Sequence, residues 1–184
     1  DSVSDGDMGK ISYTFYVRHR LSNIDPSQPP GAEPPREGAN QDILDHPDFA
    51  ERVAKERSGW ALSFGRPWVV GPVAYENHDP LDRDIANLKA AINESAPGEA
   101  FMTAASPGVL SKFVPDDYYK DEEAYIVAMA TAMQTEYEAI NAAGLILQID
   151  CPDFGSARHN QYKHLSDDEF LKIAWRNLEA VNAA

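Results

Sequence analysis

Apolar and polar positions alternate along this chain with two periods, and the segments they mark follow one another in a fixed order. Asp1–Asp7 reads as the end of a strand and its turn. Pro47 to about Ser58 has Phe49, Val53 and the stem of Arg57 at helical spacing, which predicts a short helix. Trp68–Tyr75 reads as a strand running into a turn. Asp79-Pro-Leu-Asp82 then opens a helix, with Asp79 as the capping acceptor and Pro80 where its missing N–H costs nothing. Ile85, Leu88 and Ile92 give that helix one apolar stripe, and Ala96-Pro-Gly98 ends it.

The unit then repeats. Ala100–Ala105 is a buried strand followed by Ser106-Pro-Gly108, and a helix over Asp121–Asn141 carries a stripe of Ile126, Met129, Met133, Tyr137 and Ile140. Gly144–Asp150 is an apolar strand that stops at Asp150, because Pro152 prevents its continuing in a sheet interior. Ser166-Asp-Asp-Glu169 is a capping box before a last helix whose Phe170, Ile173, Ala174 and Leu178 face inward. Strand-then-helix units of this length imply parallel strands and right-handed crossovers. The fold class expected is α/β, with about four strands in a single domain over 1–184. A closed eight-unit barrel usually needs roughly 250 residues, so a small open sheet and part of a barrel both fit the periodicity.

Between Asn23 and Asn40 the pattern breaks into Pro, Gly, Ser and Glu, with Pro29-Pro30 and Pro34-Pro35 opposing helix and strand alike. This segment is a long loop or an excursion over the surface, and a loop of this kind that is not a plain excursion covers a site or belongs to an interface. The charge balance narrows the partners: 16 Lys+Arg against 30 Asp+Glu give a formal charge of -14, which repels nucleic acid. The single Cys151 excludes an intrachain disulfide and fits a reducing, cytoplasmic compartment. No run approaches the ~18 apolar residues of a membrane helix, and no signal-peptide pattern precedes the first strand. The start inside an element suggests a truncated chain.

Nucleotide-binding glycine loops, a serine-hydrolase elbow and a His-Glu-x-x-His helix are all missing from the sequence. Cys151 and His159 fall on either side of one loop, and an incidental pair is the simpler reading than a zinc site. What remains is a set of polar residues at strand ends: Asp5 and Asp7, then Tyr75, Asn77 and His78, then Ser106, then Asp150. With parallel strands these converge on one face. Two carboxylates there, Asp7 and Asp150, suit a substrate ammonium, because charge-assisted hydrogen bonds are the strong kind. A general acid/base pair and plain turn caps are the alternatives.

The same strand ends carry a family resemblance. Val3-Ser-Asp-Gly-Asp-Met-Gly-Lys-Ile-Ser12, Phe101–Phe113 and Gly144-Leu-Ile-Leu-Gln-Ile-Asp-Cys-Pro152 resemble, in order and spacing, segments of the cobalamin-independent methionine synthase family in its short single-barrel branch. The resemblance implies a partial (β/α)8 barrel, about its second to fifth units, and transfer of a methyl group from a methyltetrahydrofolate-type donor to the zinc-bound thiolate of homocysteine. It places Asp7 at the Glu of the family's His-Gly-Glu element and Asp150 at the Asp of Gln-Ile-Asp-Glu-Pro, both of which hold the amino group; Ser106 joins them as a substrate-binding candidate. Two departures bear on the substrate: Asp7 is one methylene shorter than Glu, and Cys151 stands where the family has Glu. The family's zinc ligands fall beyond Ala184, so the chain alone is expected to be inert, with no catalytic or metal-binding residue of its own. Related thiol alkyltransferases are a second reading. Zinc-free uroporphyrinogen decarboxylases fit less well, since a polyanionic porphyrin needs basic residues. A non-catalytic product that self-associates through open sheet edges is a third reading.

Overall fold

The computed structural model describes residues 2–10, 12, 15–25, 27–32, 45–57 and 67–184. Its centre is a parallel sheet of β1 (Ser2–Ser4), β4 (Glu99–Ala105) and β5 (Ile146–Asp150), in the order β1-β4-β5. The register sets Ser4 beside Phe101, Phe101 beside Ile146, and Ala105 beside Asp150. Two shorter strands, β2 (Ile24–Asp25) and β3 (Trp68–Val69), form a separate antiparallel pair. The described residues therefore form an α/β fold with three parallel strands and no closed barrel.

This corrects the expected strand over Trp68–Tyr75. Only Trp68–Val69 pairs as a strand, antiparallel to Ile24–Asp25 and outside the parallel sheet. Gly71-Pro72 follows at once, and a proline has no N–H for a ladder. Val69 instead donates to the Pro115 carbonyl at 2.8 Å and accepts from Asp117 N–H at 2.9 Å. The Pro-rich segment begins with β2 and a turn at 27–32, while 33–40 lie outside the described residues.

The helices follow the apolar stripes closely. They are α1 (Pro47–Arg57), α2 (Asp79–Ser95), α3 (Pro107–Phe113), α4 (Glu122–Ala142), α5 (Ser156–His159) and α6 (Asp167–Ala183). Every residue of the α4 stripe, Ile126, Met129, Met133, Tyr137 and Ile140, is buried. On α2 Leu88 is buried and Ile85 and Ile92 are half-buried, whereas Phe49 of α1 is exposed and the side chains of Val53 and Arg57 are outside the description. The α6 capping box forms as expected: Ser166 N–H donates to Glu169 Oε2 at 2.8 Å, and Glu169 N–H to Ser166 Oγ at 3.3 Å. Asp79 does not cap α2. It lies in the first helical turn, and its N–H donates to Asn77 Oδ1 at 3.2 Å. There its carboxylate complements the positive end of the helix dipole. The helix α3 was not expected; Ser106-Pro-Gly reads as a turn in isolation but is a cap with proline in the first turn.

The two sheet faces differ in what they meet. Met102 and Ala104 of β4 are buried with Leu81 and Leu88 of α2 and Met129, Met133 and Ile140 of α4, and Leu147 and Ile149 pack against this core. On the other face Ile146 is 51% exposed and Gln148 is exposed. Among the described residues the sheet is covered on one side only along β5.

A buried ion cluster holds the helical layer together. Arg20 follows a 3-10 turn over Phe15–His19 and is 2% exposed. Its Nη2 donates to Asp84 of α2 at 2.6 Å, and its Nη1 lies 2.9 Å from Glu136 Oε2 of α4, near enough to pair but not aligned as a hydrogen bond. Tyr16 OH donates to Glu136 Oε1 at 3.0 Å and Tyr75 OH to Oε2 at 2.9 Å. The guanidinium also stacks over the Tyr16 ring at 4.6 Å. Removing one member leaves a buried charge uncompensated, which typically costs about 3–5 kcal/mol. Arg20→Ala is therefore expected to lower the urea midpoint by that amount of stability with little change in the slope, as read from denaturation followed by circular dichroism.

Candidate functional site

Because β1, β4 and β5 are parallel, Asp7, Ser106 and Asp150 all follow the carboxyl ends of neighbouring strands. Their surroundings differ sharply. Asp7 sits in a tight turn in which Gly6 has φ +61 and Asp7 itself has φ 56, a left-handed geometry that Asp tolerates better than most residues. Asp7 N–H donates to Asp5 Oδ1 at 3.1 Å, and Lys10 N–H donates to the Asp7 carbonyl at 2.9 Å. The turn thus brings Lys10 back onto Asp7, with Nζ 3.5 Å from Oδ1. That same oxygen accepts the Thr103 hydroxyl of β4. Lys10 Nζ donates to the Thr103 carbonyl and to its Oγ1 at 3.2 Å, and its side chain is 3% exposed.

Ser106 is fully buried, and its hydroxyl is committed twice. It accepts Val109 N–H at 3.1 Å as the cap of α3 and donates to Asp153 Oδ1 at 2.9 Å. Asn177 of α6 donates to the other oxygen of Asp153 at 2.9 Å. The Ser106–Asp153–Asn177 relay ties three elements beneath the edge, and Gly108 passes so close that a Cβ there would strike both Asp153 and Asn177. Ser106 N–H donates to the Asp150 carbonyl at 3.0 Å, which carries the β4–β5 pairing one residue past the strands. Among the described residues the Asp150 carboxylate itself, half-buried, accepts only the Gln148 amide at 3.4 Å.

Cys151 is half-buried beside Ser106. Burial pushes its thiol above the ordinary 9.0, the Asp153 and Asp150 carboxylates push the same way, and a hydrogen bond with Ser106 only partly offsets them. At neutral pH it is a thiol, not a nucleophilic thiolate. Among the described residues no three His, Cys, Asp or Glu side chains gather as a metal site.

Tyr75, Asn77 and His78 do not join this edge, since their segment is not a strand of the parallel sheet. Tyr75 reaches the Glu136 cluster, Asn77 donates to the His19 carbonyl at 3.0 Å, and His78 packs at 5.1 Å against the Tyr75 ring. Sequence reading missed Lys10, Thr103, Asp153, Asn177 and the Arg20 cluster. Of these only Glu136 had a visible signal, a carboxylate three residues after Met133 and four before Ile140 on an otherwise apolar stripe.

The edge is braced from below. Tyr16 OH accepts Ala105 N–H at 3.2 Å, and Tyr137 OH donates to the Ala105 carbonyl at 2.7 Å, so two hydroxyls fix the last peptide of β4. An open groove of about 520 Å³ runs beside this region between β1 and α2, lined by Ser4, Asp5, Met8, Gly9, Arg83 and Asn87 among others, and takes in none of Asp7, Ser106 and Asp150.

No family model matches the chain, and no curated protein does. Among solved structures it is similar to that of a B12-independent methionine synthase from Shewanella sp. W3-18-1 in complex with selenomethionine, with a TM-score of 0.63 and 21% identity. The likeness covers 98% of this chain but 42% of that one. At this identity it shows the fold.

Burial raises the two tyrosines of the brace, and Tyr75 beside them on Glu136, well above their ordinary 10.0, with the Glu136 charge as the next cause for each. The sign follows from linkage. Above pH ~10 the unfolded chain releases these protons while the folded chain keeps them, so stability is full below that pH and falls as pH rises beyond it. Thermal melts are expected to shift downward between pH 9 and 11. Absorbance at 295 nm should show these tyrosines ionising together with loss of helix rather than before it.

Proposed function

We propose that this chain supplies part of a (β/α)8 barrel of the methionine-synthase type and that its carboxyl edge receives an amino-acid thiol as acceptor of a methyl or alkyl group. The observation that supports this most directly is the register of three parallel strands, which sets Asp150 beside Ala105 and puts Asp7, Ser106 and Asp150 at one edge. The fold likeness over nearly the whole chain agrees with it. In this reading Asp150 holds the substrate ammonium, and the Ser106 relay and tyrosine brace keep its strand end in place.

The described residues do not fit a zinc site. Cys151 has a raised thiol, and the Asp153 carboxylate is consumed by Ser106 and Asn177. No step is therefore assigned to zinc here, and the chain by itself is expected to turn over no methyltetrahydrofolate with homocysteine, even with zinc added. Homocysteine-dependent turnover by the chain would overturn that part of the reading. The recognition part is tested by calorimetry. Asp150→Asn is expected to weaken L-homocysteine binding about tenfold, which corresponds to about 1.4 kcal/mol, and to leave thermal stability unchanged. Equal affinities would remove Asp150 from the site.

A second reading is self-association. Among the described residues β1 and β5 each pair only with β4, and Ile146, Leu171 and Trp175 are at least half exposed. Open edges invite pairing with another copy. Light scattering is expected to give a dimer mass at micromolar concentration, and a monomer mass would count against this reading.

A further inference from the structure

We infer that Lys10 is the cation Asp7 holds, so that ammonium recognition at this edge falls to Asp150 alone. The inference rests on the ammonium-binding reading above and changes which residue sets its specificity. A lysine ammonium has three donors. Lys10 donates to the Thr103 carbonyl and Thr103 Oγ1 and pairs with the Asp7 carboxylate at 3.5 Å, and its Nζ lies 5.3 Å from the centre of the Tyr16 ring. The group is thus enclosed, and pulling it out would remove the donor that Lys10 gives to Thr103 and leave Asp7 with the Thr103 hydroxyl but without its cation.

The pair also cancels the field that would draw a substrate. Asp7 and Lys10 sum to zero charge over 3.5 Å, and a second ammonium placed on Asp7 would sit within one Debye length of a buried like charge. Asp150 is in the opposite condition. Among the described residues it has no cationic partner, and the side-chain hydrogen bond it accepts comes from the neutral Gln148 amide. Two strand-end carboxylates that look equivalent in sequence therefore differ in availability. The acceptor this edge selects is a thiol with one ammonium read by one carboxylate, not by two.

A cycle of variants titrated with L-homocysteine by calorimetry tests this, each variant first checked by circular dichroism for the native spectrum at the titration temperature. In the unaltered background Asp7→Asn is expected to change affinity less than twofold, while Asp150→Asn weakens it about tenfold. Lys10→Met vacates Asp7, so affinity should rise about tenfold, and Asp7→Asn in that background should abolish the gain. An Asp7→Asn loss as large as that of Asp150→Asn in the unaltered background would overturn the inference and keep the ammonium reading. Silence of Asp150→Asn would overturn both. A measurement without substitution stands beside these: the Lys10 ammonium resonance, slowed in exchange by burial, should keep its chemical shift at saturating homocysteine. A shift of that resonance would overturn the inference.

Discussion

The structure depends on one buried cation. Arg20 follows the 3-10 turn over Phe15–His19 and meets Asp84 of α2 and Glu136 of α4, so three segments distant in sequence share one electrostatic knot. Its burial would lower its pKa, but Glu136 chiefly, with Tyr75 and Tyr16, raises it further, and the guanidinium stays charged. A pair of helices packed only through methionine and leucine would tolerate small rotations. A planar fork facing two carboxylates does not, and it fixes how α2 and α4 sit on the sheet.

That knot reaches the strand ends through Tyr16. Its hydroxyl contacts Glu136 and Ala105, and its ring is within cation–π distance of both Arg20 and Lys10. The cluster in the core and the turn that carries Asp7 are therefore joined through one aromatic side chain. A disturbance at Glu136 has a short physical route to the carboxyl edge, through packed and hydrogen-bonded groups.

Much of the architecture was legible because burial imposes a period. The α4 stripe and the α6 capping box were readable from local sequence, and both formed. The Trp68–Tyr75 segment was not, since a short apolar run before Gly71-Pro72 looks the same whether it joins the main sheet or a two-residue ladder. The difference lies in distant partners, the Pro115 carbonyl and Ile24–Asp25. Asp7, Ser106 and Asp150 lie at ends of the parallel strands, as their sequence positions implied, whereas Tyr75, Asn77 and His78 do not, and the states of the first three were hidden. Nothing local shows that Lys10 folds back on Asp7, that Asp153 absorbs the Ser106 hydroxyl, or that Arg20 is buried. These are long-range pairings, and periodicity carries no information about them.

Gly108 has no side chain because the Asp153 carboxylate and the Asn177 amide occupy the space a Cβ would need. The three positions belong to α3, to the turn after β5 and to the middle of α6, yet they form one steric unit. In evolutionary terms they are not independent letters. A descendant that acquired alanine at 108 would have to shorten or reorient 153 or 177 as well, so these sites should drift as a covarying trio while the surface around them changes freely.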